Sequence, residues 1–249
     1  MIFSKSLAVL ATAASLSLAA TPDGFEPASE VDLIVIYNST TALNGAVVPR
    51  TATTSQPRIG TTSRLNGTSY AILMIDIDIP TNTPPATNTL LHWLQTGLTP
   101  SRTSTTITIP GASSPLSIFL LQNGSSTTPI TPYFGPNPPA RIPLSHRYTQ
   151  ILVDTSAATA QGMRALEQAA RPAGGGVAIG FNASAVLSQA GLSGKVVAGN
   201  FFNVTNPGPV GAAANGTNTN VNNRNGTVNG GGDETSTGCK QGSEQSKVK

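Results

Sequence analysis

Three short stretches hold nearly all of the unusual chemistry in this chain. Asp76 and Asp78 stand two residues apart in Asp76-Ile77-Asp78-Ile79-Pro80, at the end of the most apolar run in the sequence. In a regular strand the two share a face, because side chains alternate with period two. Carboxylates so placed repel, take up a proton or a metal, or accept from separate backbone donors; the plain structural reading is a turn in which both accept loop N–H groups. Leu91-His92-Trp93-Leu94 contains one of only two histidines and the only tryptophan. A histidine among apolar strand residues is either a satisfied core group or a group that faces a ligand. Tyr133-Phe134-Gly135-Pro136-Asn137-Pro138-Pro139 is a proline-stiffened loop, either a simple turn or one where Gly135 lets a ligand approach the backbone closely. Just beyond it, Ser145-His146-Arg147-Tyr148 opens a strand and sets His146 and Tyr148 on one face.

These side chains are carried by a succession of β-branched and aromatic runs bounded by Pro, Gly, Asn and Ser. Strands are predicted over Val31 to Tyr37, Tyr70 to Ile79, Thr89 to Gln95, Thr105 to Ile109, Ser117 to Leu121, Arg147 to Val153 and Val196 to Val204. Their close spacing favours antiparallel pairing over βαβ crossovers. Two helices are predicted. Ala157 to Ala170 follows Asp154, Thr155 and Ser156, any of which can cap it, and carries Met163, Leu166 and Ala170 on one face. The second opens on Asn182 as N-cap and closes at Gly191, with Val186 and Leu187 turned inward.

The ends of the chain read differently. Lys5, the apolar run Leu7 to Leu18 and the small-residue pattern Ser17-Leu18-Ala19 have the form of a signal peptide, placed at residues 1–20 with cleavage after Ala19 or Ala20. The run falls short of the roughly 20 apolar residues a membrane span needs, so no transmembrane segment is expected. One domain follows over residues 21–206. From Pro207 to residue 249 the chain is Gly-, Asn- and Thr-rich with isolated valines, which predicts a disordered tail. The expected location is extracellular, with sequons at Asn38, Asn66, Asn123, Asn203, Asn215 and Asn225 as glycosylation sites; a glycan on Asn182 would compete with the helix cap. Cys239 is the only cysteine, so no intrachain disulfide can form and the domain must be held by its core. With 14 Lys+Arg against 11 Asp+Glu, scattered along the chain, no basic patch for nucleic acid is present.

Taken in order, these motifs resemble those of the phosphatidylethanolamine-binding proteins. Asp76 to Pro80 resembles the family's D-P-D-A-P motif, and Leu90 to Leu94 its x-x-H-W-L element. Tyr133 to Pro139 is similar to its Y-x-G-P-x-P-P loop, His146 to Tyr148 to its H-R-Y strand start, and Gly191 to Phe202 to its closing G-L-x-x-x-V-A-G-N-F-F segment. The resemblance implies a mainly β domain, with a large central antiparallel sheet packed on a smaller one and two short peripheral α-helices. It also implies a shallow anion pocket built from Asp76, Asp78, Pro80, His92, Gly135, Pro136, His146 and Tyr148; where the loop before His146 departs from the family's glycine-rich form, Arg141 is either an extra anion contact or a solvated side chain. Ile77 and Ile79 stand where the family has proline and alanine, a change expected to reshape one wall.

Imidazole, phenol and backbone N–H groups are donors for phosphoryl oxygens, and a neighbouring carboxylate fixes an imidazole tautomer or accepts an ammonium group. The sequence has no G-x-S-x-G elbow and no usable cysteine nucleophile. The expected function is therefore non-enzymatic binding of a phosphate-like anion or a phospholipid head group, with no cofactor and no metal. Two other readings stay open: inhibition of a secreted or vacuolar protease such as a carboxypeptidase, as in some fungal members of the family, and metal-dependent hydrolysis using Asp76, Asp78, His92 and His146.

Overall fold

The structure is a computed structural model that describes residues 20–109, 113–124, 126–171 and 176–208. Residues 1–19 of the expected signal peptide, residues 209–249 of the expected tail, and with them Cys239, Asn215 and Asn225, lie outside the described residues. Within them the strands are β1 (Ile34–Tyr37), β2 (Thr40–Thr41), β3 (Arg58–Thr61), β4 (Tyr70–Pro80), β5 (Thr87–Pro100), β6 (Thr105–Ile107), β7 (Leu116–Gln122), β8 (Ser145–Asp154) and β9 (Val196–Thr205). The helices are α1 (Ala160–Ala170) and α2 (Ala183–Gln189). None is long and apolar enough to cross a membrane.

All pairings between strands are antiparallel, and the sheet runs β2-β1-β3-β7-β5-β4-β8-β9 with β6 added on β7. The large and small layers expected from the sequence are thus parts of one hydrogen-bonded sheet, joined where β7 pairs with both β3 and β5. The sheet curls until its ends meet. Leu33 N–H donates to the Gly199 carbonyl at 2.6 Å, and Val48 N–H to the Asn203 carbonyl at 2.8 Å.

β4 lies near the centre and is buried on both sides, which is why its sequence reads as an almost unbroken apolar run. Tyr70, Ile72 and Met74 face one core, shared with Val35, Tyr37, Trp93, Tyr148, Leu152 and Phe202. Ala71, Leu73 and Ile75 face the other, closed by Leu166 of α1 and Leu187 of α2. The curled β1–β3 end therefore covers one face of the central strands and the helices cover the opposite face.

Three elements depart from the sequence reading. The cap of α1 is Thr159, whose hydroxyl accepts from Gly162 N–H at 3.0 Å, in place of Asp154, Thr155 or Ser156. Asp154 instead accepts from Ser156 N–H at 2.8 Å, which holds the connection before the helix. The short strands β2 and β3 had no sequence signal long enough to register: β2 is half of a tight hairpin turning at Asn38-Ser39, and β3 is four residues that include Gly60. α2 begins as expected, with Asn182 accepting from Ala185 N–H at 2.9 Å.

The junction between the sheet ends is tied by a buried amide. Asn200 donates to the Ala42 carbonyl at 2.8 Å and to Gln150 Oε1 at 2.9 Å, and accepts from Asn44 N–H at 3.1 Å. Removing it leaves buried acceptors without partners. Asn200→Ala is expected to lower unfolding free energy by about 2–4 kcal/mol, with the denaturant slope unchanged. A urea midpoint shift equivalent to less than about 0.5 kcal/mol would show that the sheet ends close without this tie.

Candidate functional site

β8 supplies two of the site's side chains by alternation. His146 and Tyr148 point to the same face, and Asp76 of β4 lies directly opposite Tyr148 in the ladder. His92 reaches this face through an irregularity. In the pairing of β4 with β5, Met74 opposes Trp93 while Ile75 opposes Leu91, so His92 is the extra residue of a β-bulge. Regular alternation would turn His92 and Trp93 to opposite faces; the bulge lets both look toward the Tyr148 side. The His92 ring meets Tyr148 edge-on at 5.2 Å between centroids, and the His146 ring lies 6.4 Å from that of Tyr148, close to parallel with it.

The four groups are enclosed: relative exposure is 1% for Asp76, 3% for His92, and 0% for both His146 and Tyr148. Asp76 Oδ2 lies 2.7 Å from His146 Nδ1, and its Oδ1 accepts from Asp78 N–H at 2.9 Å. His92 Nδ1 lies 2.9 Å from the Phe134 carbonyl, and Phe134 N–H donates back to the His92 carbonyl at 3.2 Å. A carbonyl only accepts, so Nδ1 of His92 carries hydrogen; the Asp76 carboxylate sets the same tautomer on His146.

The outward-facing atoms are the informative ones. Six buried side-chain polar atoms have no protein partner among the described residues, and three of them are His92 Nε2, His146 Nε2 and Tyr148 Oη. Asp76 and the Asn137 backbone lie near the Tyr148 hydroxyl, although neither makes a well-formed hydrogen bond to it. Burial, then the Asp76 charge, hold the Tyr148 phenol far above its ordinary range. Burial likewise lowers the His92 imidazole, against the opposing pull of the Phe134 carbonyl and Asp76. Tyr133 beside them is pushed up to about 12, chiefly by burial; its hydroxyl donates to the Thr53 carbonyl at 2.6 Å and lies 3.3 Å from the Tyr37 hydroxyl.

Other residues singled out in the sequence occupy different positions. Asp78 does not share the Asp76 face: the ladder is irregular between Asp76 and Ile79, and Asp78 turns to Arg147, the β8 residue that points away from His146. Its oxygens bind Arg147 Nη2 at 2.7 Å, Nε at 2.8 Å and the backbone N–H at 2.8 Å. Ile77 also faces away, against the helix-side core, so its wall is not a wall of the imidazole site. A cavity of about 500 Å³ opens on that far face beside Ile77 and Arg147, separate from the histidines.

Gly135 packs against backbone: a Cβ there would sit 2.5 Å from the Thr53 carbonyl oxygen, so the close approach it permits is that of another chain segment. Pro136 is buried next to it. Pro80 ends β4 opposite Thr87. Arg141 is exposed and its Nη2 donates to the Thr81 carbonyl at 3.2 Å. Among the sequons, Asn38 and Asn66 are exposed, whereas the Asn123 and Asn203 amides donate to the carbonyls of Thr127 at 2.8 Å and Gly45 at 2.7 Å.

Two participants carried no assignment in the sequence reading. Phe134 stacks on His92 with ring centroids 4.0 Å apart and so closes the site from the loop side. Arg147 anchors Asp78. An aromatic residue beside Gly-Pro and a basic residue next to His146 were the available signals, but their partners are distant in sequence.

The family model for phosphatidylethanolamine-binding proteins matches residues 38–202. The phosphatidylethanolamine-binding protein of Plasmodium vivax is similar at 19% identity and a TM-score of 0.47, over 73% of this chain and 90% of that one. That of Plasmodium falciparum is similar at 18% identity and a TM-score of 0.47, over 72% and 89%. A carboxypeptidase Y inhibitor, in a crystal structure with its cognate proteinase, is similar at 18% identity and a TM-score of 0.45, over 70% and 83%.

The lowered His92 value fixes a pH dependence. Above pH 6.5, the ordinary imidazole value, folded and unfolded chains both carry a neutral ring and this group takes nothing from stability. As the pH falls below 6.5 the unfolded chain binds the proton first, so stability declines until the lower folded value is passed. A ring-resonance NMR titration should give a His92 midpoint below 6.5; a midpoint at or above it would mean that the ring is far better solvated than its burial indicates.

Proposed function

Because the chain belongs to the phosphatidylethanolamine-binding protein family, we propose that it is a binding protein for phosphate-like anions, including the phosphoryl part of a phospholipid head group, at the site around Asp76, His92, His146 and Tyr148. The observation that carries this reading is that His92 Nε2, His146 Nε2 and Tyr148 Oη, on side chains that pack together, are all buried and without protein partners. A buried polar atom left unpaired costs about 1–3 kcal/mol, and three such atoms on neighbouring side chains favour a ligand with several polar atoms. A tetrahedral oxyanion accepts from the Tyr148 hydroxyl and, where an imidazole is protonated, from its Nε2–H. Entry requires the Phe134 ring and its loop to move aside, since that ring lies over His92.

The protein acts by binding, without chemical turnover. Neither Nε2 has a hydroxyl or thiol within hydrogen-bonding distance, so no imidazole is poised to activate a nucleophile. The carboxylate that a hydrolytic metal centre would recruit, Asp78, is held by Arg147, and among the described residues no three His, Cys, Asp or Glu side chains form a group able to hold a metal. The leader-like segment and the exposed sequons at Asn38 and Asn66 support work outside the cell.

Titration with inorganic phosphate and with phosphoethanolamine, followed by NMR, should shift the ring resonances of His92 and His146. His146→Ala should lose that response by more than about tenfold in affinity, roughly the loss of one charge-assisted hydrogen bond. No shift with either compound would remove this reading. Inhibition of a carboxypeptidase that survives His146→Ala would assign the protein's action to a different surface.

A further inference from the structure

The two imidazoles present the wrong atoms to a fully ionised ligand. His92 Nδ1 is committed to the Phe134 carbonyl and His146 Nδ1 to Asp76, at 2.9 Å and 2.7 Å. Both partners accept hydrogen, so in the neutral rings both Nε2 atoms carry lone pairs. A neutral pair therefore offers an incoming oxyanion two acceptors and only one donor, the Tyr148 hydroxyl. Lone pairs set against lone pairs repel, and burial keeps water from intervening. When an imidazole gains a proton, its Nε2 becomes a charged donor aimed at the ligand while the Nδ1–H bond behind it is kept.

Resting on the anion-binding reading, we propose that an anion enters this site together with a proton, taken up by the His92–His146 pair. The bookkeeping of atoms is simple: the ring Nε2 lone pair forms an N–H bond with a solvent proton, no covalent bond breaks, and the bound complex gains one positive charge against the anion's negative charge. An anion that carries its own hydrogen, such as hydrogen phosphate, can instead donate a P–OH to one Nε2 and needs less proton uptake. Anions without hydrogen, such as sulfate or a phosphodiester, have no such route.

The groups that surround the pair fit this linkage. Asp76 of β4 faces both rings and offsets the charge gained, with Oδ2 on His146 Nδ1. Tyr148 of β8 packs against both rings, and its phenol stays protonated under the Asp76 charge and burial. From the loop, the Phe134 carbonyl faces His92, and Tyr133 adds a second uncharged phenol nearby. A charge on His146 opposes one on His92. Arg147 and Asp78 lie on the opposite side of β8 and neutralise each other there. Without ligand, desolvation disfavours the charged form of His92; an anion placed against Nε2 reverses the sign of that local field.

Isothermal titration of the purified protein with sodium sulfate at pH 8, in two buffers of different ionisation enthalpy, reads the proton count directly. The expected result is uptake of about one proton per sulfate bound, with affinity rising about tenfold for each pH unit lowered toward pH 6.5. Sodium phosphate under the same conditions should show smaller uptake and a shallower pH dependence. His92→Gln and His146→Gln, which place an uncharged amide donor where the ring stood, should flatten the sulfate profile. Sulfate binding with less than about 0.2 proton taken up, and with pH-independent affinity, would overturn the proposal while leaving anion binding intact. Failure of both sulfate and phosphate to bind anywhere between pH 5 and 8 would overturn the anion-binding reading itself.

Discussion

A single buried contact organises the site: the Asp76 carboxylate against His146 Nδ1, 2.7 Å apart where β4 and β8 lie side by side. Burying a carboxylate is costly unless its oxygens are met by donors, and here one oxygen takes the imidazole while the other takes the Asp78 backbone N–H. The turn at Asp76-Ile77-Asp78 is thereby fixed, Asp78 is released toward Arg147, and the ladder between β4 and β5 becomes irregular at that end. Adjacent residues on β8 then serve opposite faces of the sheet. His146 belongs to the enclosed site and Arg147 to the rim of a cavity beyond it.

The rest of the fold keeps this contact dry and aimed. Because β4 is covered by the curled β1–β3 end on one side and by α1 and α2 on the other, the sheet cannot flex at Asp76 without disturbing two cores. Tyr148 is stacked on Phe202 from β9, whose ring meets Tyr37 of β1 edge-on, so the phenol is locked from behind by the closure of the sheet ends. The loop from Tyr133 to Pro139 completes the enclosure through Gly135 packed on Thr53 and Phe134 stacked on His92. Rigid walls and one aromatic cover suit a site whose selectivity comes from hydrogen-bond polarity and charge rather than from adaptable shape.

Ladder irregularities account both for one expectation from the sequence that fails and for one placement that no local signal gives. Period-two alternation places Asp76 with Asp78, an inference that assumes an unbroken ladder; a regular ladder would also turn His92 away from the Trp93 face. A bulge at His92 and an irregularity after Asp76 break it, and bulges depend on what the neighbouring strand offers rather than on the local residues. Gly135 illustrates a related point. Its need for close approach was legible, but whether a ligand or another loop does the approaching was decided by Thr53, some eighty positions away in the chain.

The amino-acid sequence alone determined the β-rich character, the seven principal strands, both helices, the Asn182 cap and the residues capable of the chemistry, since each is written in local composition, spacing and propensity. Tertiary structure decided which of those residues meet: that Asp76 takes His146 while Asp78 takes Arg147, that Phe134 covers His92, and that two sheet layers are one curled sheet. The physical reason is that local signals act over a few residues, whereas a buried hydrogen bond or ion pair is chosen by which distant strands share a face once the cores close.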